Sequence, residues 1–237
     1  MFKRKNTLPK AAAVIVAAGS GTRMKAATNK QFILIDGVPV LAHTLTQFQQ
    51  AETIDEIVIV TRSEDILTVS DIVREFGITK AKNIIPGGET RQDSVKCGLN
   101  AVATHSIVAI HDGARPFVSV DKINELICTA EACGAAAPGV LLKDTVKVVD
   151  DNNMVIRTPD RSSLRLIQTP QVFKTELIKN AYALAEKDGF IGTDDCSVAE
   201  HAQIPVKLID GEYTNIKITT PEDLPVAEAI LATMETE

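Results

Sequence analysis

Two cations follow a glycine turn early in the chain, in a pattern that could bind phosphate. Residues 13–31 read Ala-Val-Ile-Val-Ala-Ala-Gly-Ser-Gly-Thr-Arg-Met-Lys-Ala-Ala-Thr-Asn-Lys-Gln, which places Arg23 and Lys30 in one loop after an apolar run. Glycine lets backbone N–H groups approach phosphate oxygens, and cations neutralise their charge. The spacing fits neither Gly-x-Gly-x-x-Gly nor a P-loop, because Met24 stands at the third glycine and no Gly-Lys-Ser/Thr follows. A plain structural turn is the alternative.

A second glycine turn precedes a predicted helix. Residues 87–94 read Gly-Gly-Glu-Thr-Arg-Gln-Asp-Ser. A double glycine before a helix N-terminus presents free N–H groups, here beside the hydroxyl of Ser94, and could also bind an anion. The alternative is an ordinary N-cap by Thr90.

An acid and an arginine follow a predicted strand in the segment His111-Asp112-Gly113-Ala114-Arg115-Pro116. The carboxyl end of a buried strand is where open α/β enzymes place metal ligands and groups that bind substrate. A surface turn with a solvated ion pair would give the same residues. Nothing in their spacing requires His111 to be more than a hydrogen-bonding scaffold residue.

The elements that must position these residues alternate between strand and helix. Apolar runs and turn signals predict strands at 11–18, 55–61, 81–85, 106–110, 134–142, 164–170 and 206–209. The helical pattern predicts helices at 38–50, 64–76, from the second glycine turn to about 103, at 121–133, 174–186 and 193–202, and after 220–223. Alternation of this kind indicates a mainly parallel sheet with right-handed crossovers.

The region from 143 to 161 breaks this rhythm. Residues 145–149 and 154–158, joined by a turn at 150–153, predict a β-hairpin arm with little core of its own. The arm either packs on another subunit or folds over its own domain as a flap. We expect one domain over residues 1–237 with this arm inserted in it.

A short alternating segment near the C-terminus carries a further cation. In Asn215-Ile216-Lys217-Ile218-Thr219, the period-two pattern turns Lys217 away from the face that buries the two isoleucines.

Composition narrows the classes of protein to consider. The chain has 237 residues, 45% of them hydrophobic and 4% aromatic, and a net charge of −6, which argues against nucleic acid as a bulk partner. No segment is apolar enough to predict a membrane span. Four scattered cysteines without metal-ligand spacing favour a reducing cytoplasm. Basic residues before position 11 and the apolar run 11–18 resemble a signal peptide, but cleavage after residue 18 would remove the first strand.

Taken in order, these motifs resemble one family. The series comprises Ala17-Ala18-Gly19-Ser20-Gly21-Thr22-Arg23-Met24, Lys30-Gln31, Gly87-Gly88 with Arg91 and Asp93-Ser94, His111 to Pro116, Gln168-Thr169-Pro170-Gln171 and Asn215-Ile216-Lys217. It is similar to the 2-C-methyl-D-erythritol 4-phosphate cytidylyltransferases of the non-mevalonate isoprenoid route, from residue 11 to about 232. The resemblance implies a Rossmann-like nucleotidyltransferase fold of the glycosyltransferase-A type, an obligate homodimer, and CMP transfer from CTP to the sugar-alcohol phosphate with release of pyrophosphate.

The resemblance also implies roles for individual residues. Arg23, Lys30 and Lys217 would act in catalysis, and the nucleotide would contact Ala17, Ala18, Gly19, Gly88, Glu89, Ser94, Asp112 and Gly113. The acceptor would contact Asp112, Arg115, Thr145, Arg161, Thr169 and Thr193, of which Thr145 and Arg161 would come from the arm of a partner subunit. Asp112 would also hold Mg²⁺.

The chemistry agrees with that assignment. The acceptor phosphate attacks the α-phosphorus of CTP in line, and repulsion between the two anions is the main obstacle. Fixed cations and Mg²⁺ offset this repulsion. A phosphate monoester is already ionised near neutral pH, so the reaction requires no general base.

Three positions depart from the family pattern, and two alternatives stay open. Val16 and Asn29 stand where relatives often have proline, and Cys196 follows Asp194-Asp195 much as in the related ribitol 5-phosphate cytidylyltransferases. The first alternative is therefore CDP-ribitol formation on the same fold, although the loop reads Ala-Ala-Gly rather than the Ala-Gly-Gly usual there. The second is a non-catalytic nucleotide-binding module.

Overall fold

Strands and helices alternate along the chain, as the sequence predicts. The computed structural model describes residues 8–19, 29–102 and 104–234, and all elements named here lie in those ranges. The strands are β1 (Ala11–Val16), β2 (Leu34–Ile35), β3 (Val38–Pro39), β4 (Ile54–Thr61), β5 (Ala81–Pro86), β6 (Ile107–Asp112), β7 (Ala135–Leu141), β8 (Val148–Val149), β9 (Val155–Arg157), β10 (Arg165–Ile167), β11 (Gln171–Lys174) and β12 (Lys207–Asp210). The helices are α1 (Val40–Gln50), α2 (Ile66–Glu75), α3 (Arg91–Ala101), α4 (Val120–Cys133), α5 (Thr175–Asp188), α6 (Asp195–His201) and α7 (Asp223–Met234).

The sheet is built around β1. Its order is β10-β7-β11-β6-β1-β4-β5, with β12 paired to β7. β1, β4, β5 and β6 pair in parallel, as does β12 with β7, whereas β10 and β11 run antiparallel to their neighbours. The sheet is therefore mixed and mainly parallel, which confirms the predicted class.

The core lies on both faces of this sheet. Side chains of β1 alternate between faces, so Ala13 and Ile15 enter one buried cluster while Val14 enters the other. Both faces are apolar because helices cover both sides, as expected for central parallel strands. On one side α3 lies very close to the sheet, since a Cβ on Gly98 would come within 2.3 Å of a Val14 methyl carbon. β1 ends at Val16, so the residues that follow it lie at the carboxyl edge of the sheet.

Two parts of the fold differ from the sequence prediction. The predicted strand 164–170 is interrupted: β10 ends at Ile167, and a turn with a cis peptide bond between Thr169 and Pro170 leads into β11. Residues 168–171 therefore do not close one strand but join two, and β11 lies between β6 and β7. The predicted helix 38–50 begins two residues later, because residues 34–39 form a hairpin around Asp36 and Gly37, both with positive φ.

The predicted arm is present as a short hairpin. β8 and β9 pair antiparallel around a turn, and Asn153 in that turn has a φ of +59°. Val149, Met154, Val155 and Ile156 are 45%, 67%, 58% and 63% exposed. The arm therefore leaves apolar side chains uncovered within one chain.

The C-terminal segment closes a third apolar cluster beside α1. Ile218 and Ala227 are fully buried there with Ile35 and Val40. Within the described ranges, no helix is both long and apolar enough to cross a membrane.

Candidate active site

A pocket of about 360 Å³ opens where β1, β5 and β6 end. Its wall combines the two glycine turns with Lys30, Asp112 and Lys217, charged residues from distant parts of the sequence. The lining residues are Val16, Ala18, Gly19, Lys30, Gln31, Gly88, Glu89, Thr90, Arg91, Ser94, Asp112, Ala114 and Lys217. The motifs singled out in the sequence thus converge on one pocket at the carboxyl edge of the sheet, where open α/β folds bind ligands.

The first loop leaves β1 through two backbone hydrogen bonds. The N–H of Ala17 donates to the Val60 carbonyl at 2.7 Å, and the Val16 carbonyl accepts the N–H of Gly113 at 2.9 Å. These bonds fix the start of the loop to its two neighbouring strands, so Ala18 and Gly19 emerge at the pocket. They also use the N–H groups of Ala17 and Gly113. Arg23, with the rest of residues 20–28, lies outside the described residues.

The second glycine turn is tightly packed against α3. A Cβ on Gly87 would lie 2.6 Å from the Ser94 hydroxyl, and one on Gly88 would lie 2.3 Å from the Asp93 Cβ. The N–H of Gly87 donates to the Thr61 carbonyl, and the N–H of Gly88 donates to the Ser94 Oγ at 3.2 Å. The prediction that these two glycines present free N–H groups is therefore wrong. They are small so that the chain can pass close to α3.

Thr90 caps α3, as the alternative interpretation expected. Its Oγ1 accepts the N–H of Asp93, and the Asp93 carboxylate accepts the N–H of Thr90, which completes a capping box. The cap fixes the first turn of the helix and therefore the position of Arg91, the residue that follows Thr90.

Asp112, the last residue of β6, carries the densest charge contacts of the pocket. Its Oδ2 lies 2.7 Å from the Lys217 Nζ, and its Oδ1 accepts from the Arg91 Nε at 3.1 Å. The Nε of Arg115 lies 3.9 Å from the same Oδ2. Burial alone would raise the pKa of Asp112, but Arg91, Lys217 and Arg115 outweigh it and hold that pKa well below its ordinary value. Asp112 is thus ionised, and three cations surround it.

Arg91 is fixed from behind by a buried carboxylate. Its two terminal nitrogens donate to the two oxygens of Asp195 at 3.1 and 2.8 Å, a bidentate pair. Asp195 is fully buried and also accepts the hydroxyl of Tyr182 at 2.6 Å. Although burial lowers the pKa of Arg91, Asp195 and Asp112 raise it further, so the guanidinium stays charged. Burial and Asp195 together raise the pKa of Tyr182, which stays neutral.

His111 links the end of β6 to the turn before β11. The Thr169 Oγ1 accepts the N–H of Asp112 at 3.1 Å and lies 3.0 Å from the His111 Nδ1, so the hydroxyl proton is directed to that nitrogen. The proton of the ring is then on Nε2, which donates to the Arg115 carbonyl at 3.0 Å. Burial is the main cause that lowers the pKa of His111 to about 4. The imidazole is therefore a neutral scaffold, as the sequence suggested.

Several predicted site residues support the pocket from behind its wall. The Nη1 of Arg115 donates to the Asn215 carbonyl at 2.8 Å, and this bond joins the segment after β6 to the segment that carries Lys217. Ile218 is fully buried, and Lys217 reaches Asp112, which confirms that the two side chains point in opposite directions. Thr169 is 4% exposed and bonded to Asp112.

Three predicted substrate residues lie apart from this pocket in a single chain. Thr145 and Arg161 are exposed at the base of the arm, where the Nη1 of Arg161 donates to the Lys143 carbonyl at 2.8 Å. Thr193 lines a second cavity of about 460 Å³ beside α6 and β12. None of these three residues lines the pocket of about 360 Å³.

Local sequence patterns do not identify the residues that anchor Arg91. Asp195 and Tyr182 received no role, and Arg91 appeared only as part of a motif. Asp195 does offer a signal, because an acid directly after an N-cap acid suits a helix N-terminus, but that reading gives it no partner. Its partner is 104 positions away in the sequence.

Comparison with known proteins agrees with the observed fold. The family model described as 2-C-methyl-D-erythritol 4-phosphate cytidylyltransferase matches residues 11–233. A relative of that name from Clostridium acetobutylicum is 49% identical over 92% of this chain and 96% of its own length. Another, from Geobacillus kaustophilus, is 46% identical over 95% of this chain and 98% of its own. The crystal structure of 4-diphosphocytidyl-2C-methyl-D-erythritol synthase from Anaerococcus prevotii is 36% identical and matches with a TM-score of 0.84, covering 94% of this chain and 96% of that one. The chain belongs to the 2-C-methyl-D-erythritol 4-phosphate cytidylyltransferase family.

Proposed function

We propose that this pocket transfers CMP from CTP to 2-C-methyl-D-erythritol 4-phosphate, giving 4-diphosphocytidyl-2-C-methyl-D-erythritol and pyrophosphate. Family membership over nearly the whole chain supports this reaction, a step of non-mevalonate isoprenoid synthesis. The observation that carries the proposal is the charge arrangement: Lys30 and Lys217 line one pocket, and the Lys217 Nζ lies 2.7 Å from the Asp112 carboxylate. Two anionic substrates require such a cationic pocket.

The nucleotide is assigned to the wall formed by the two glycine turns. The triphosphate lies along Ala17, Ala18 and Gly19, with Arg23, Lys30 and Lys217 as its cations. Cytosine and ribose are assigned to Gly88, Glu89 and Ser94 of the second turn. Asp112 and Gly113 are also assigned to the nucleotide. Ala18, Gly19, Gly88, Glu89 and Ser94 all line the pocket, which supports this division.

Catalysis in this proposal is electrostatic. The acceptor phosphate attacks the α-phosphorus in line, and negative charge spreads over the phosphoryl oxygens in the transition state. The ammonium of Lys217 is already oriented by Asp112, so little reorganisation accompanies the reaction. Removal of one fixed donor in comparable sites costs about 10²- to 10³-fold in rate. Each lysine should contribute on that scale.

A divalent cation fits this pocket when substrate phosphates supply some of its ligands. Mg²⁺ in nucleotide-dependent enzymes is usually bound by one or two carboxylates together with substrate phosphates. Among the described residues, no group of three or more His, Cys, Asp or Glu side chains could hold a metal alone. Glu89 and Asp112 both line the pocket, and of these two carboxylates Asp112 would hold Mg²⁺ together with triphosphate oxygens. When bound, the ion neutralises phosphate charge.

The acceptor is assigned to the side of the pocket that a partner subunit completes. Asp112, Arg115 and Thr169 lie on one chain, with Thr193 at the neighbouring cavity. Thr145 and Arg161 are exposed at the base of the arm, which supports a contribution in trans.

The arm is assigned to a homodimer interface. Met154, Val155 and Ile156 are each more than half exposed, and a two-stranded hairpin of this size has no core to bury them. A second copy of the chain offers the same apolar surface in return, which suits a two-fold interface. We further assign residues 1–237 to one domain with this arm inserted at 143–161, and the enzyme to the cytoplasm, where CTP is made.

A coupled assay of pyrophosphate release tests the proposal. Purified protein with CTP and Mg²⁺ is given either 2-C-methyl-D-erythritol 4-phosphate or ribitol 5-phosphate, and turnover with the first is expected to exceed that with the second. Lys30→Ala and Lys217→Ala should each lose at least about 100-fold in rate without loss of folding. Lys82→Ala is the matched control, because Lys82 lies in β5, is exposed and donates to the Thr79 carbonyl.

Each alternative has its own result in this assay. Equal or better turnover of ribitol 5-phosphate would refute the acceptor assignment. CTP binding without pyrophosphate release would favour the non-catalytic module. Unchanged turnover in both lysine variants would refute the electrostatic mechanism.

A further inference from the structure

A buried amide stands directly before Lys30. Asn29 is 8% exposed, and its Nδ2 donates to the Asp65 Oδ2 at 3.1 Å. The bond crosses 36 positions in the sequence and joins the first loop to the turn after β4. The loop that carries Lys30 is therefore tied to the scaffold by a side chain.

Asp65 is well suited to serve as the anchor. It is 8% exposed and lies at the end of a short 3₁₀ turn, Ser63–Asp65, that follows β4. Arg62 donates to both of its oxygens, from Nε at 2.7 Å and from Nη2 at 3.1 Å. A bidentate arginine fixes the orientation of a carboxylate. The oxygen that Asn29 contacts is thus held in place by the strand end.

The backbone of Asn29 begins the turn that carries Lys30. The Asn29 carbonyl accepts the N–H of Phe32 at 2.9 Å, and residues Lys30–Phe32 form a single 3₁₀ turn. Lys30 lies at the first position of that turn and lines the main pocket. Rotation or withdrawal of Asn29 would therefore move the Lys30 Cα with it.

We propose that Asn29 is a positioning residue for Lys30, with Asp65 and Arg62 as its anchor. The inference rests on the proposed function, in which Lys30 binds the triphosphate. Hydrogen bonding to Asp65 fixes Asn29, Asn29 fixes the turn, and the turn sets where the ammonium meets the phosphates. A displacement of about 1 Å at a reacting site can cost up to 100-fold in rate, so a contact outside the pocket can matter for catalysis.

The expected signature is selective for CTP. Asn29→Ala should raise the KM for CTP or lower kcat so that kcat/KM for CTP falls by about 10-fold, while the KM for the sugar-alcohol phosphate stays unchanged. A general loss of folding would affect both substrates and the thermal midpoint together. Gln49→Ala is the matched control. Gln49 lies on α1, and its side-chain amide donates a hydrogen bond to the Thr79 hydroxyl at 2.9 Å, so this change also removes a donating amide.

A charge-neutral exchange provides rescue. Asn29→Asp places a carboxylate against Asp65 and should lower kcat/KM for CTP at least as much as Asn29→Ala. The double variant with Asp65→Asn again pairs an amide with a carboxylate and leaves the net charge of the protein unchanged, but it removes the oxygen that accepts from the Arg62 Nε at 2.7 Å. It should therefore recover part of the loss seen in Asn29→Asp, which a merely space-filling role would not predict.

The deciding experiment is a double-mutant cycle between Asn29→Ala and Lys30→Ala, with kcat/KM for CTP as the readout. If Asn29 acts through Lys30, its substitution has little further effect once Lys30 is alanine, so the two losses are not additive. Additive losses, or an unchanged kcat/KM in Asn29→Ala while Lys30→Ala is impaired, would overturn the inference and leave the proposed function intact. Full activity in Lys30→Ala would refute the role of Lys30 itself, and the inference with it.

Discussion

Stability should depend on pH through His111, although this histidine takes no part in the chemistry. The ring is fully buried beside Asp112 and is held neutral, with Nδ1 as acceptor and Nε2 as donor. Burial lowers its pKa in the folded protein to about 4, against about 6.5 for an unfolded chain. The unfolded state therefore binds the proton more readily than the folded state between these two values.

The sign and size of the effect follow from this difference. His111 stabilises the fold fully above pH 6.5, and this contribution is lost as the pH falls from 6.5 towards 4. Each unit in that window changes the free energy of unfolding by up to about 1.4 kcal/mol. Between pH 7 and pH 5 the loss attributable to His111 is thus about 2 kcal/mol.

Urea denaturation at pH 7 and pH 5 measures this loss, with His111→Asn as the comparison. The variant is less stable at pH 7, because it loses the bond to the Arg115 carbonyl and the contact with Phe48, whose ring centroid lies 4.9 Å away. Its stability should nevertheless fall by about 2 kcal/mol less than that of the wild type between the two pH values. NMR of the imidazole should show the neutral Nε2–H tautomer down to pH 5. An equal pH dependence in both proteins, or titration of His111 near 6.5, would refute the reasoning.

Two further changes test the support of the pocket and the arm. Tyr182→Phe removes one hydrogen bond to the charged, buried Asp195 and leaves its two bonds from Arg91, so the free energy of unfolding in urea should fall by about 1.5–3 kcal/mol; a change below about 0.5 kcal/mol would contradict the assigned contact. Deletion of residues 146–156 should convert the proposed dimer to a monomer in sedimentation and abolish turnover, and a dimer that persists would remove the proposed role of the arm.

The fold was predictable where its pattern is long and local. The strand from Ala11 is a run of six apolar residues, and the alternation of strands with helices then indicated the sheet class. β11 was missed because four residues, Gln171–Lys174, carry too short a pattern to distinguish from the end of one strand or the start of the next helix. Its place between β6 and β7 is decided by pairing with distant strands.

Only those parts of the pocket that follow local sequence patterns could be predicted. The glycine turns and the acid at the end of β6 are local signals, and both Gly88 and Asp112 line the pocket. The pairing of Arg91 with Asp195 joins residues 104 positions apart, and no local spacing encodes it. Free N–H groups were expected at the second turn, but the N–H of Gly87 donates to the Thr61 carbonyl at the end of β4. No local pattern encodes that contact.

The series of contacts from Tyr182 through Asp195, Arg91 and Asp112 to Lys217 alternates in charge after its neutral first member. This alternation of charge limits which substitutions the fold tolerates. A neutral replacement of Asp112 removes the carboxylate shared by Arg91, Arg115 and Lys217, whereas Asp112 keeps two of its three cations when Lys217 is neutralised, so the two single substitutions differ in cost. The series joins α5, α6, α3, β6 and the segment that carries Lys217, so the charge of the pocket depends on residues behind its wall as well as on those that line it.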